Sequence, residues 1–363
     1  MKILIIGSSF YPENSPRSIR TTELVKEFAK QGHRVTVLIP KENIHLQFEK
    51  EHQVEIKNLG INQLKDINIV SGGKILIVIK RILRRSLNLL FYYPKIEWMF
   101  KVKKALKKEK GYDLLISIAA PHSIHWGVAW AWKKNNTIAK TWTADCGDPF
   151  MGLESDTFKK MFYFKYLEKN WGKKANFITI PIEEAVKSYY SEFHKKIVVI
   201  PQGFSFPKLE KKKKNSIPTF VYSGNIESYR HYYMPFFNFI KKIESDFKFI
   251  IFTKEKHIYK KELSNIKDKI EINNYIERED LIQVLYNADF LIHFPYQNDT
   301  QRSLKLVDYG YTNTPILSYT AKNEDDEKML QFLRSNYEGK YNAGDIEKYT
   351  IKNVTENFLK LIQ

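Results

Sequence analysis

Short apolar runs alternate with stretches of helical periodicity along most of the chain. Lys2–Ile6 reads as a strand buried on both faces, and Thr21–Gln31 as a helix stopped by Gly32, after which Arg34–Ile39 begins the next strand. Further strands are expected at Leu114–Ile118, Ala139–Thr143, Phe177–Ile180 and Ile197–Ile200, with a helix at Ser123–Trp132. The stretch Phe206–Pro218, with two prolines at its ends and Lys211–Lys214 between, reads as an exposed linker. The pattern then restarts. Strands are expected at Thr219–Tyr222, Phe247–Phe252, Phe290–Phe294 and Pro315–Ser318, and helices at Met234–Ile243, Glu279–Tyr286 and Leu304–Tyr311. Asp345–Ile362 closes the chain as one helix. Strand–helix alternation of this kind implies parallel sheets covered on both faces, and it occurs twice.

The chain has 363 residues, 43% hydrophobic and 28% charged, which suits two domains of ordinary size. The expected boundaries are a Rossmann-like domain at 1–205, a linker at 206–217, a second such domain at 218–345, and a terminal helix at 346–363 returning toward the first. The one cysteine, Cys146, rules out an internal disulfide and favours a reducing compartment. The opening MKILIIGSSFYPENSPR has too short an apolar run for a signal peptide, so a cytoplasmic protein is expected.

Charge changes the picture. The formal net charge is +18, and Lys74–Lys110 carries +10 of it in about a tenth of the length, interleaved with aliphatic and aromatic residues. On a helix over Ile75–Phe91, turning about 100° per residue, Lys80, Arg81, Arg84, Arg85 and Asn88 fall on one stripe beside a broad apolar face. Three readings are open: docking on an anionic membrane surface, a helix packed on its own domain with a solvated basic edge, and nucleic-acid binding, which no accompanying motif supports. The run ILIVIKRILRRSLNLLFYY is broken by four basic residues, so it is not expected to span a bilayer.

The first loop, Gly7-Ser8-Ser9-Phe10-Tyr11-Pro12-Glu13, is neither G-x-G-x-x-G nor a P-loop, which argues against a dinucleotide-dependent dehydrogenase. It follows a strand, where open α/β sheets bind ligands, and it leads to Arg17 and Arg20. Ser223-Gly224-Asn225 also follows a strand, and Gly224 allows close backbone approach to phosphate. Asp145 and Asp148, after another strand, are candidates to orient or deprotonate a hydroxyl. His122 and His125 form a spaced pair, but the spacing offers no third metal ligand, so no metal is expected.

These segments carry a resemblance. YPENSPRSIRTTELVKEFAKQGHRVTVL, YDLLISIAAPHSIH, TWTADCGDPF, ANFITIPIEEAVKSYY followed by IVVIPQGF, FVYSGNI and LKLVDYGYTNTPIL resemble, in order, segments of the family-4 retaining glycosyltransferases, over roughly residues 1–320. The resemblance implies the GT-B fold, two Rossmann-like domains facing a central cleft. It implies a retaining transferase that moves a sugar from a nucleotide-sugar to a saccharide acceptor. UDP is slightly favoured over GDP, and no cofactor is required.

By the same resemblance the catalytic positions are Asp148, Asp145 and His125. The donor is bound by Gly224, Asn225, Arg230, Tyr275, Ile276, Asp299, Thr300, Ser303, Lys305 and Asp308, and the acceptor by Ser9, Tyr11, Arg17, Arg20 and His122. Three departures from the family pattern stand out. The lysine after Arg230 is replaced by Tyr232, Tyr233 and Met234. The first acid of the paired motif is Thr300, beside Asp299. The arginine between Asp145 and Asp148 is Gly147. The basic segment, with Lys80, Arg81, Arg84 and Arg85 as membrane contacts, favours a lipid-linked acceptor and a peripheral place on the inner face of the cytoplasmic membrane, in cell-surface polysaccharide synthesis. The alternatives are a sugar-nucleotide epimerase of the same fold and a catalytically inactive GT-B scaffold subunit.

Overall fold

A computed structural model describes residues 1–69, 73–135, 137–152, 159–225, 230–295 and 305–362, without the side chains of 230–232 and 323. The chain divides into two compact units, Met1–Phe204 with Lys348–Gln363, and Ser205–Glu347.

The first unit contains, in order, β1 (Lys2–Ile6), α1 (Pro16–Lys30), β2 (Arg34–Ile39), α2 (His45–His52), β3 (Glu55–Asn58), α3 (Lys74–Phe91), α4 (Glu97–Leu106), β4 (Tyr112–Ala119), α5 (Ser123–Ala131), β5 (Ala139–Cys146), α6 (Phe164–Lys174), β6 (Phe177–Ile180) and β7 (Ile197–Val199). Its sheet runs β3-β2-β1-β4-β5-β6-β7 with every pairing parallel. Ile3–Ile6 and Leu114–Ile118 are buried throughout, because helices cover both faces. Helix α1 begins five residues before the expected Thr21. Ser15 caps it by accepting the Ser18 N–H, and Pro16 takes the first turn, where a missing N–H costs nothing.

The second unit contains β8 (Thr219–Ser223), α7 (Arg230–Ile240), β9 (Lys248–Phe252), α8 (Lys256–Glu262), β10 (Ile270–Asn273), α9 (Arg278–Asn287), β11 (Phe290–His293), α10 (Lys305–Thr312), β12 (Ile316–Ser318) and α11 (Asn323–Leu333). Its parallel sheet runs β10-β9-β8-β11-β12. The expected linker is partly built into this unit. Phe206 stacks on Tyr311 at 4.2 Å, and the Pro207 carbonyl accepts from the Tyr311 hydroxyl at 2.7 Å. Lys211–Lys214 are exposed, as their charge demands.

The expected closing helix is a short 3-10 turn, Glu347–Tyr349, followed by α12 (Ile351–Lys360). Thr350 caps α12, and Ile351, Val354 and Phe358 enter the core beneath α1. Burying three such side chains contributes roughly 5–9 kcal/mol before entropy. Gly203 is required here, since a Cβ on it would lie 2.6 Å from Ile351 Cδ1.

Both sheets reverse strand order once, between β1 and β4 in the first and between β8 and β11 in the second. Ligands of open α/β sheets bind beyond the carboxyl ends of strands at such points.

Candidate functional site

In the second unit, the carboxyl end of β8 carries Ser223, Gly224 and Asn225. Gly224 has φ +138°, a conformation that other residues rarely adopt, and a Cβ on it would lie 3.1 Å from Lys305 Nζ. Lys305 opens α10, which follows β11. Its Nζ donates to the Tyr222 hydroxyl at 3.1 Å and lies 4.3 Å above the Tyr222 ring. Tyr222 in turn donates to the Asn225 carbonyl at 3.0 Å, and the Tyr275 hydroxyl donates to Asn225 Oδ1 at 3.1 Å. Lysine, two tyrosines and asparagine thus form one polar chain around the glycine. The Lys305 stem keeps some exposure, but its charged end is enclosed, and burial holds its pKa down to about 7. Beside it, at the end of β11, His293 is held down to about 3 by burial and then by Lys305. An enclosed ammonium beside a glycine at a strand end is a group an anion can use.

Asp308, one turn further along α10, takes two bonds from Arg278 on Oδ1, at 3.1 Å from Nε and 2.5 Å from Nη2, leaving Oδ2 outside the pair. Burial raises its pKa, partly offset by Arg278. Tyr275 and Ile276 are each 40% exposed just beyond β10. Asp299, Thr300 and Ser303 lie outside the described residues, as does the Arg230 side chain, although Arg230 itself begins α7.

In the first unit the structure divides the two expected carboxylates. Asp145 is buried and held bidentately by Arg20, with Nη2 at 2.8 Å from Oδ1 and Nε at 3.1 Å from Oδ2; Thr179 Oγ1 donates to Oδ1 at 2.8 Å. Arg20 also donates to the carbonyls of Pro201 and Ile200. Burial pushes the Asp145 carboxyl up, but Arg20, Arg17 and Thr179 together bring it below its ordinary value. This pair ties α1 to β5 and β6. Neither Arg20 nor Asp145 presents a free group to an acceptor, which corrects both assignments.

Asp148 is exposed at the end of β5. Arg17 Nη1 lies 3.8 Å from Asp145 Oδ2, and its charge also reaches Asp148. A Cβ on Gly147 would lie 2.5 Å from Arg17 Cζ. Arg17, from α1, thus lies over Gly147, where a larger residue would collide with it. Ser9 is half-buried, and Tyr11 is 39% exposed on the β1 loop.

His125 is fully buried, with Nδ1 2.8 Å from Ser117 Oγ and Nε2 3.4 Å from Cys146 Sγ. It cannot reach a substrate directly, a second correction. His122 is buried at the start of α5, its Nε2 3.1 Å from the Asp148 carbonyl, and burial holds its pKa down to about 4. It supports the Asp148 loop from within the core.

Neither a protein-family model nor a curated protein matches the sequence. Solved structures do match in three dimensions. HepE of Anabaena, in complex with UDP, superposes with a TM-score of 0.62 at 11% identity, covering 99% of each chain. TarM gives 0.63 at 11% identity over 100% of this chain and 98% of that one. A glycosyltransferase of Rickettsia africae gives 0.59 at 13% identity over 99% and 97%. HepE and TarM are GT-B glycosyltransferases. This chain has the GT-B fold.

Within this GT-B chain, α3 departs from the amphipathic rule. No residue of it is buried. Ile75, Leu76, Val78, Ile79, Ile82 and Leu83 are 47–78% exposed, while Ile77, Lys80 and Asn88 are half-buried, so the apolar face turns to solvent. Arg81 and Arg84 are exposed, with Arg84 paired to Asp66, and Arg85 is half-buried. The basic stripe therefore flanks the outward apolar face and is partly engaged by the protein. Among the described residues no helix is long and apolar enough to cross a membrane.

Sequence reasoning missed Tyr222, Arg278, His293 and Tyr309, whose hydroxyl accepts the Ser223 N–H at 3.1 Å. Three of these sit inside apolar runs and read as core. Only the position of Tyr222, directly before Ser-Gly-Asn at a strand end, marked it.

Proposed function

We propose that this protein is a retaining glycosyltransferase that moves a sugar from a nucleotide-sugar to a lipid-linked saccharide, in the building of a cell-surface polysaccharide. The observation that carries the reading is Lys305, an enclosed ammonium at the start of α10, at the strand-order reversal of the second unit, beside a glycine that leaves room for a ligand. Transfer requires a group that neutralises the departing diphosphate, and a cation at a helix N-terminus supplies it without reorganisation. HepE is solved with UDP, which supports a UDP-sugar as donor. Asp308 Oδ2 and the exposed Tyr275 are the groups available to ribose and base.

On the first unit, exposed Asp148 orients the acceptor hydroxyl, with Arg17 beside it to compensate charge. The diphosphate itself helps take the hydroxyl proton, so that the new bond forms on the face the nucleotide leaves. The outward apolar face of α3, with Arg81 and Arg84 alongside, fits the interfacial zone of an anionic bilayer, and each basic group near such a surface adds about 1 kcal/mol. This favours an acceptor carried on lipid and a peripheral place at the membrane.

A thermal-shift panel of UDP-, GDP- and ADP-sugars identifies the donor, since a ligand bound by the native state raises the melting temperature by mass action. Incubation of that donor with a polyprenyl-diphosphate-linked saccharide then yields acceptor-dependent nucleotide release and a product of retained anomeric configuration. Absence of binding by all three at about 1 mM refutes the reading. Binding with no turnover on any acceptor favours a scaffold, and isomerisation without acceptor favours an epimerase.

A further inference from the structure

His122, His125 and Cys146 come together in the interior of the first unit, at the carboxyl ends of β4 and β5. One ring nitrogen from each histidine and Cys146 Sγ all lie within 4.8 Å of one another. The two histidines are three residues apart, and the third donor arrives from a neighbouring strand, which spacing along the chain does not reveal. Each ring has one nitrogen already fixed by the protein. His122 gives Nε2 to the Asp148 carbonyl, and His125 gives Nδ1 to Ser117 Oγ, which also accepts from Trp142 Nε1 at 2.8 Å. Outer partners of this kind set the tautomer of metal-binding histidines and leave the other nitrogen's lone pair for the ion.

Two independent features ask for a ligand. His122 Nδ1 is buried with no hydrogen-bond partner, in a residue only 4% exposed. Glu168, from α6, is 1% exposed, and among the described residues no side chain bonds either carboxyl oxygen, with the amides of Phe150 and Met151 nearby. Its charge reaches Cys146. Buried polar atoms left unmade are costly, and a carboxylate most of all. The separation of His125 Nε2 from Cys146 Sγ, 3.4 Å, is close to the roughly 3.5 Å edge of a tetrahedron built from Zn–N and Zn–S bonds.

We propose that His122, His125 and Cys146 hold a divalent transition-metal ion, zinc by their donor chemistry, with Glu168, outside the three-ligand cluster, supplying a second negative charge nearby. On binding, the Sγ–H bond breaks, the Sγ–metal bond forms and the proton leaves to solvent, as does any proton carried by the Glu168 carboxyl. Thiolate and carboxylate then cancel the dication, so the buried site is neutral overall. The ion has no part in sugar chemistry. It locks the start of α5 to the β5 loop through the His122 bond to Asp148, and so fixes the segment that presents the Asp148 carboxylate. The proposal stands whether or not the chain transfers sugars.

The test uses the full chain, purified without a histidine tag, incubated with Co²⁺ or Zn²⁺ and desalted. Expected are about one metal per chain and, for cobalt, intense visible bands of a tetrahedral site with thiolate charge-transfer absorption in the near ultraviolet. Cys146 is the only cysteine, so any such absorption comes from it, and the wild-type spectrum decides even if variants do not fold. Cys146→Ser abolishes the charge-transfer band, and Glu168→Gln weakens zinc affinity roughly 10–100-fold. Less than about a tenth of a metal per chain, a cobalt spectrum with no thiolate absorption, or binding unchanged in Cys146→Ser overturns the proposal.

Discussion

Binding of a nucleotide-sugar should draw a proton into the protein. Burial holds the Lys305 ammonium of the unliganded protein down to about 7 against an ordinary 10.5. A diphosphate placed against Nζ favours the charged form and returns the pKa toward its ordinary range. At about pH 8 a group of pKa near 7 is about one-tenth protonated, so binding takes up roughly 0.9 proton; at about pH 6 the group is already charged and uptake falls to roughly 0.1. The sign follows directly. Uptake on binding means that affinity falls as pH rises above 7, by up to about tenfold per pH unit until the pKa of the complex is reached.

The assay is isothermal titration calorimetry of the best-binding sugar nucleotide, in pairs of buffers with different ionisation enthalpies. A sugar nucleotide is preferable to the free diphosphate, whose terminal phosphate titrates near neutrality. Lys305→Met should weaken binding at about pH 6 by at least tenfold, which is the loss of one charge-assisted contact, and should flatten the pH dependence. Uptake near zero at about pH 8 in the wild type, or uptake that survives in Lys305→Met, refutes the assignment of Lys305 to the diphosphate.

Asp145→Asn leaves Arg20 buried without its countercharge and should destabilise the protein by about 3–5 kcal/mol in urea denaturation, whereas Asp148→Asn should leave the midpoint unchanged and lower turnover. Because the Asp145 carboxyl sits below its ordinary value in the folded state, its stabilisation is present above about pH 4 and is lost as pH falls through the folded pKa; an acid-unfolding curve whose steepness is unaltered in Asp145→Asn would contradict this. Gly224→Ala combines an unfavourable φ with a methyl 3.1 Å from Lys305 Nζ, and should lower nucleotide affinity while costing about 1–2 kcal/mol of stability. Replacing Ile79, Ile82 and Leu83 together by Glu should abolish sedimentation with anionic liposomes and leave nucleotide binding in solution intact, since these side chains are already 50–61% exposed; retained sedimentation would remove α3 from the docking surface.

The fold was legible because both sheets are buried on two faces and so are written as near-continuous aliphatic runs. Lys2–Ile6, Arg34–Ile39 and Phe177–Ile180 match the structure to the residue. Helix starts were less legible. At α1 the cap and the proline lie in a polar stretch that reads as loop, and they extend the helix back to Pro16. The placement of the candidate residues was legible where a group sits alone at the end of an element, as Gly224 and Asp148 do after strands and Lys305 at a helix start. It was not legible where two distant groups neutralise each other. Nothing along the chain says that Arg20 reaches Asp145, or that Arg17 fills the space above Gly147, because those partners lie on different elements and meet only when α1 packs across β5.

That difference bears on how departures from the family pattern should be weighed. The loss of an arginine at Gly147 looks like damage to an acceptor site when position is counted along the chain. In space Arg17 occupies the region above Gly147, and glycine is the residue that admits it, since a Cβ would stand 2.5 Å from Arg17 Cζ. The missing lysine after Arg230 invites the same question. In the second unit an enclosed ammonium is supplied by Lys305, from α10, against the glycine that opens the loop after β8.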